Sequence, residues 1–199
     1  MGVEIERRFL VTGDGWRAHV RWQSELQQGY LTSSPGGFTL RVRLSREAGG
    51  PGTTPAAAAQ AWLTLKAPVS ASAPATSPAS ASEPRAGEGL VRQEFEYPIP
   101  PADAVALLAL TQWQLRKRRH GLDLAGGDWV LDVFEGANAP LVVAEVELES
   151  PDQPVAVPPW CGLELTGRHE LSNAALAHEP LASWAEPRRR WLLQALGSI

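Results

Sequence analysis

The chain has 199 residues, of which 44% are hydrophobic, enough for one domain of ordinary size with a real core. A single cysteine, Cys161, excludes an internal disulfide, and we expect a reducing, cytoplasmic location. A net charge of −4 and the lack of a long apolar run argue against nucleic acid and membrane as partners.

Alternation of apolar and charged residues predicts most of the secondary structure. Strands are expected, in chain order, at 3–10, 39–44, 62–66, 92–97, 130–134 and 143–149. Helices are expected at 101–110, 172–178 and 186–196, two of which have Pro near the first position. Stretches at about 48–59 and 68–89 are rich in Ala, Ser, Pro or Gly, and we expect disordered insertions within one domain, 1–199.

The predicted strands carry ionised groups on one face. Acidic strands contribute Glu4 and Glu6, then Glu94 and Glu96, Asp132, and finally Glu145 and Glu147, whereas basic positions include Arg8, Arg41, Arg43 and Lys66. A solvated face is the simple interpretation of any one strand, but adjacent like charges are destabilising unless opposite charges lie between them. We therefore expect a mainly β, α+β fold: a closed antiparallel barrel of about eight strands with a charged lumen and helices packed outside.

Such a lumen has acidic and basic walls. Carboxylates bind divalent cations, and arginine or lysine binds phosphate oxygens, so the expected guest is a polyphosphate carrying Mg²⁺ or Mn²⁺. Lysine is rare here: the chain has 16 Arg but only Lys66 and Lys117. Within the basic run at 116–119, we expect Lys117 and Arg119 to point into the lumen rather than form a nucleic-acid patch.

The order of these motifs resembles the triphosphate tunnel metalloenzymes, also called the CYTH superfamily, in their short bacterial form. Residues 4–8 (EIERR) resemble the Glu-x-Glu-x-Lys opening of the family, with Arg8 in place of lysine, and residues 28–31 (QGYL) resemble a Gln-Gly-Tyr-Leu segment. Further matches are 41–43 (RVR), 63–66 (LTLK), 94–96 (EFE), 117–119 (KRR), 132–136 (DVFEG) and 145–148 (EVEL).

The resemblance implies a metal-dependent hydrolase of a small-molecule triphosphate, most simply an inorganic tripolyphosphatase. Its implied metal ligands are Glu4, Glu6, Glu94, Glu96, Asp132, Glu145 and Glu147, and its implied phosphate-binding residues are Arg8, Arg41, Arg43, Lys66, Lys117 and Arg119. Tyr30, Lys66 and Glu147 are the implied catalytic residues, the tyrosine as a proton acceptor.

Three alternatives remain open at this point. An adenylate cyclase or a thiamine triphosphatase would use the same lumen with a different organic group at its mouth. A non-catalytic polyphosphate or nucleotide sensor would fit if Arg8 marks lost catalysis, and hydrolysis restored by Arg8→Lys would favour that alternative. A homodimer is compatible with the sequence, which does not determine the oligomeric state.

Overall fold

The computed structural model describes residues 2–33, 38–47, 59–68 and 91–197. The strands are β1 Gly2–Val11, β2 Val20–Ser33, β3 Thr39–Glu47, β4 Gln60–Pro68, β5 Val91–Pro98, β6 Gln114–Leu122, β7 Asp128–Phe134, β8 Val142–Glu147 and β9 Cys161–Glu164. The α-helices are α1 Pro101–Ala109, α2 Asn173–His178 and α3 Glu186–Ala195. The insertions predicted at about 48–59 and 68–89 lie almost entirely outside the described residues.

The strands form one antiparallel sheet in the order β5-β4-β3-β2-β6-β7-β8-β1-β9. The prediction of a closed barrel of about eight strands is wrong, because the described residues form a sheet of nine strands in which β9 adds an edge beyond β1. The first residues of β1, 2–5, also pair with β5, but its last residues pair with β9 instead. Pairing between β1 and β5 therefore covers only part of β1, although it curves the sheet strongly.

Residue alternation gives the sheet two different faces. We call the charged one the inner face; it carries Glu6, Arg8, Arg41, Arg43, Lys66, Glu94, Glu96, Arg119, Asp132, Glu145 and Glu147. On the outer face, the buried side chains of Ile5, Phe9, Leu131 and Val146 belong to one apolar cluster. The predicted separation of charged and apolar residues along each strand is therefore observed in these strands.

The helices occupy both faces, which corrects the expectation that all of them pack outside. Helix α1 packs Ala104 and Leu108 against Val42 and Leu44 on the outer face. Helices α2 and α3 instead join a cluster with Leu10, Phe134 and Val143. Leu10 and Phe134 come two residues after Arg8 and Asp132, and Val143 comes two residues before Glu145, so all three lie on the inner face. This face is therefore apolar at one end, where the C-terminal helices cover it.

Strands β2 and β9 were absent from the predicted strand set, and β6 was indicated only by the expected inward placement of Lys117 and Arg119. In β2 the inner-face positions are uncharged residues such as Ser24 and Gln28, so the charge alternation that revealed the other strands is missing. Four consecutive basic residues hide the alternation in β6, and β9 has only four residues. None of the helices in the described part of the chain has the length and hydropathy needed to cross a lipid bilayer.

Candidate active site

The inner face lines a cavity of about 520 Å³, which we call the large cavity. Its charged lining consists of Glu6, Arg41, Arg43, Lys66, Glu94, Glu96, Arg119, Glu145 and Glu147. Residues from β1, β3, β4, β5, β6 and β8 thus meet in one place, as the alternation of the strands predicted. Asn173, the first residue of α2, completes the lining from the C-terminal segment.

The basic residues of β3 are fixed by the carboxylates of β5. Arg43 donates a hydrogen bond of 2.7 Å to Glu96. Thr64, on the intervening strand β4, accepts a bond of 3.0 Å from Arg41 and donates one of 2.9 Å to Glu96. Because Thr64 is fully buried, this threonine holds the guanidinium of Arg41 and the carboxylate of Glu96 in one arrangement.

Asp132, on β7, is the centre of an ionic network. Arg119 binds both of its carboxylate oxygens, at 2.8 and 2.7 Å, and Lys117 donates to it as well. Glu145 accepts bonds from Arg8 at 3.1 Å and from Arg119 at 2.8 Å. Burial favours the neutral acid, but the positive charges of Arg119 and Lys117 outweigh it and hold the pKa of Asp132 well below its usual range.

Lys117 lies behind the wall of the large cavity rather than in it. Its side chain is fully buried, and its ammonium group bonds to Asp132 and, at 3.2 Å, to the side-chain oxygen of Asn173. Burial lowers the pKa of Lys117 to about 8, although Asp132 acts in the opposite direction. The lysine therefore links the sheet to the start of α2.

Within the described residues, carboxylates outnumber cations in the lining of the large cavity. Its five carboxylates are those of Glu6, Glu94, Glu96, Glu145 and Glu147, and its four cations are those of Arg41, Arg43, Lys66 and Arg119. A polyphosphate is itself strongly anionic, so its binding here calls for additional positive charge, which a divalent cation supplies.

Glu6 and Glu147 have the right chemistry for such a cation. They are direct partners in the register of β1 and β8, and both line the large cavity. Among the residues that the structure describes, no three His, Cys, Asp or Glu side chains gather into a metal-binding group. Mg²⁺, however, usually binds through one or two carboxylates together with waters and substrate phosphates, so this donor set fits it.

A second cavity of about 80 Å³, the small cavity, adjoins the large one. The two share Glu6, Arg41, Lys66 and Asn173 as lining residues, and the small one also contacts Arg8, Tyr30, Ser33, Thr39, His169, Ser172 and Ala174. Burial raises the pKa of Tyr30 to about 12, so its hydroxyl carries a proton at neutral pH. That hydroxyl donates to Gln28 at 3.4 Å.

The structure brings most of the predicted site residues to these two cavities. Arg8 lines only the small cavity, and Asp132 and Lys117 lie beneath the walls. Glu4 belongs to β1 and pairs with Arg92 of β5, but its side chain falls outside the described residues.

Two residues of the site were missed in the sequence. Thr64 lies on the same strand face as Lys66. Threonine is common in β-strands, so its presence there predicts no functional role. Asn173 begins a short helix and is followed by four apolar residues, and this polar residue before an apolar run was the available signal for a specific contact. The partner of Asn173, Lys117, is 56 positions away, so the sequence could not show which residue it meets.

Comparison with known proteins shows the family of this chain. Residues 2–178 match the model of the CYTH domain, so the chain belongs to the CYTH domain family. The chain is 34% identical over 180 residues to an inorganic triphosphatase of Nitrosomonas europaea, covering 87% of this chain and 96% of that protein. It is also 28% identical over 188 residues to an inorganic triphosphatase of Acetivibrio thermocellus, covering 94% of this chain and all of that protein.

Solved structures of the same fold are also similar. A crystal structure described as that of an inorganic triphosphatase shares 29% sequence identity and a TM-score of 0.52, covering 89% of this chain and 95% of the other. A second, described as a hypothetical protein, shares 32% identity with the same TM-score, covering 87% and 97% of the two chains. The family suggested by the strand motifs is thereby confirmed.

Proposed function

We propose that this protein is a metal-dependent triphosphatase and that inorganic tripolyphosphate is its substrate. The observation that carries the proposal is the large cavity, where four cations and five carboxylates of the described strands face one space. Water would add to the terminal phosphorus, the phosphoanhydride bond would break, and orthophosphate and pyrophosphate would result. Phosphoryl transfer of this kind depends mainly on positioning and on neutralising charge on the phosphate oxygens.

In this proposal the phosphate chain contacts Arg41, Arg43, Lys66 and Arg119, which line the large cavity. Arg43 and Arg119 are oriented by Glu96 and Asp132, so their guanidinium groups are positioned before substrate arrives. Lys117 acts indirectly, through Asp132 and Asn173, because it lines neither cavity.

Glu6 and Glu147 would hold Mg²⁺ or Mn²⁺, together with Glu4 from the same strand as Glu6. When bound, the cation neutralises phosphate oxygens and draws electron density from the reacting phosphorus. The remaining predicted ligands, Glu94, Glu96, Asp132 and Glu145, are all within ion-pair distance of arginine or lysine side chains, and we assign them to orienting those cations. Oxygen donors are the type that both metals prefer.

Tyr30 is proposed to support the site in its protonated form, since its hydroxyl donates to Gln28 and its side chain lines the small cavity beside the large one. A hydroxyl whose pKa is about 12 keeps its proton at neutral pH and is a poor proton acceptor. This role differs from the one that the family resemblance implied. The single cysteine, whose thiol has a pKa raised by burial to about 12, is placed outside the chemistry, and we retain the proposal of a cytoplasmic enzyme.

The substitution Glu147→Gln tests the proposed function. Removing one charge from a metal-binding carboxylate should lower kcat/KM for tripolyphosphate at least about 100-fold, equal to about 2.7 kcal/mol of transition-state stabilisation. The measurement is orthophosphate release with Mg²⁺ or Mn²⁺ present. Glu149→Gln is the matched control, because Glu149 lies just beyond the end of β8 and lines neither cavity.

Unchanged activity in Glu147→Gln would contradict the proposed site. Product identification separates the alternatives: tripolyphosphate, ATP and thiamine triphosphate are each incubated with the protein and either metal. Orthophosphate from tripolyphosphate supports the proposal, whereas cyclic AMP and pyrophosphate from ATP would indicate a cyclase. Binding of tripolyphosphate without any product would indicate a sensor.

A further inference from the structure

Trp62, on β4, is an aromatic residue on the charged inner face of the sheet. It alternates with Thr64 and Lys66 along the strand and is the direct partner of Arg43 in the register of β3 and β4. The guanidinium carbon of Arg43 lies over the Trp62 ring, 4.8 Å from its centroid. Trp62 lines neither cavity, whereas Arg43 lines the large one, so any effect of the ring on the large cavity passes through the arginine.

The ion pair of Arg43 holds its guanidinium incompletely. One nitrogen donates the 2.7 Å bond to Glu96, and the two side chains of this pair are 18% and 29% exposed. An ion pair that remains partly hydrated restrains a long side chain weakly. Arg119 differs, because it binds both carboxylate oxygens of the buried Asp132. A single bond leaves the guanidinium plane free to turn, and the face of an adjacent ring opposes such rotation.

The charge on Arg43 is also compensated only in part. Burial and the positive charge of Arg41 lower the pKa of Arg43 to about 10, although Glu96 acts in the opposite direction. The buried Nε of Arg43 has no hydrogen-bond partner among the described residues. The face of an aromatic ring attracts a cation, and tryptophan does so best. Trp62 therefore stabilises the charged form of Arg43 where hydration and hydrogen bonds do so incompletely.

We propose that Trp62 is a positioning residue of the candidate active site: its ring holds the Arg43 guanidinium beside Glu96 and at the large cavity, without contacting the substrate. The inference rests on the proposed function, in which Arg43 binds the phosphate chain. Without the ring, the guanidinium would sample other orientations, and the substrate would have to order it on binding. Tripolyphosphate would then be bound and cleaved less efficiently.

Steady-state hydrolysis of tripolyphosphate with Mg²⁺ tests the proposal on three variants. Trp62→Leu removes the ring and should lower kcat/KM about tenfold, as expected for loss of a partly dehydrated cation–π contact. Trp62→Phe keeps an aromatic face and should remain within about threefold of the wild type. Trp191→Leu is the matched control and should leave kcat/KM unchanged, because Trp191 makes a similar contact with Arg168, at 5.4 Å, and neither residue lines a cavity.

A second substitution separates positioning from a general structural role. In an Arg43→Gln background the ring has no cation to hold, so Trp62→Leu should lower kcat/KM less than about twofold there. The same tenfold loss in both backgrounds would indicate a structural role and would overturn the inference. So would equal activity of Trp62→Leu and the wild type, or a loss in Trp62→Phe as large as that in Trp62→Leu. If Trp62→Leu does not fold, Trp62→Val takes its place, because valine favours strands.

Proton NMR of the arginine Nε–H groups tests the contact independently of catalysis. The Arg43 signal, identified by its loss in Arg43→Gln, should be shifted upfield by the ring current of Trp62. Trp62→Leu should abolish that shift and Trp191→Leu should not; an unshifted wild-type signal would overturn the inference even in an active enzyme.

The proposed function can fail separately, if the wild type shows the shifted Arg43 signal but hydrolyses no triphosphate. Calorimetric titration with tripolyphosphate and Mg²⁺ then decides the role of Trp62. Trp62→Leu should weaken the affinity about tenfold relative to the wild type and to Trp191→Leu. Absence of that weakening would overturn the inference as well.

Discussion

At the scale of single residues, Asp132 shows how the site tolerates a buried charge. It is fully buried, yet Arg119 and Lys117 together donate three hydrogen bonds to it. Because dehydrating the charges is expensive, such a network contributes less to stability than its contacts suggest. Its main effect is to fix Arg119, part of whose side chain remains accessible at the cavity wall.

The titration of Lys117 gives a testable consequence. Burial lowers its pKa to about 8 from the ordinary value of 10.5, so between these values the unfolded chain holds a proton that the folded protein has lost. The free energy of unfolding should therefore rise with pH in this window, relative to that of Lys117→Met, which cannot titrate there. Urea unfolding of both proteins near pH 8 and near pH 10.5 measures the difference; a constant or falling difference would contradict the assignment.

At the scale of elements, strands with charged inner faces were predictable and strand β2 was not. Arg41 and Arg43 alternate with buried Val42 and Leu44, so both the existence of β3 and its orientation could be read from the sequence. The inner positions of β2 are uncharged, and only its similarity to a family motif at 28–31 marked it as important.

The position of α2 could have been inferred only with knowledge of the tertiary structure. Its sequence predicted a helix with an apolar side, and that is observed: Ser172 caps it by accepting a 3.1 Å bond from the backbone of Ala175. An apolar helix packs equally well on either face of a sheet, however. The deciding feature is that Leu10, Phe134 and Val143 make one end of the inner face apolar, and this becomes visible only when the strands are aligned.

Truncating one leucine in α1 and one in α2 should separate an effect on stability from an effect on substrate binding. Leu108→Ala in α1 and Leu176→Ala in α2 both remove buried side chains and should each cost about 2 to 5 kcal/mol of unfolding free energy. Only Leu176→Ala should also raise KM for tripolyphosphate, about tenfold or 1.4 kcal/mol, because α2 positions Asn173 beside both cavities. Denaturant unfolding and steady-state kinetics measure the two effects; equal KM changes would contradict a special role for α2.

At the scale of the whole molecule, closure of the sheet was the part of the fold that could not be predicted correctly. The charged faces were interpreted as the lumen of a closed barrel, whereas the structure shows an unclosed sheet whose charged face lines the large cavity. The partner strand of each part of β1 could not be predicted. Its residues 2–5 pair with β5 and its last residues with β9, a division that alternation within β1 itself does not encode.

The charge balance of the large cavity predicts how ligands stabilise the molecule. With Mg²⁺, a nonhydrolysable imido analogue of tripolyphosphate at about 100 times its Kd should add about 2.7 kcal/mol. In a chain of 199 residues this corresponds to a rise in Tm of about 5 to 11 °C. In EDTA the shift should be less than half as large, because carboxylates outnumber cations in the lining. Equal thermal shifts with and without Mg²⁺ would refute this account of metal dependence.

Because β1 pairs with β8, which is far along the chain, part of the site can form only after most of the chain has been synthesised. Arg8 and Glu145, which form a salt bridge in the site, are 137 positions apart. At about 5 to 20 residues per second, a ribosome needs roughly 7 to 27 s to make the chain between them. During that delay β1 has no β8 to pair with. The pair of carboxylates formed by Glu6 and Glu147 is therefore completed only late in the synthesis of each chain.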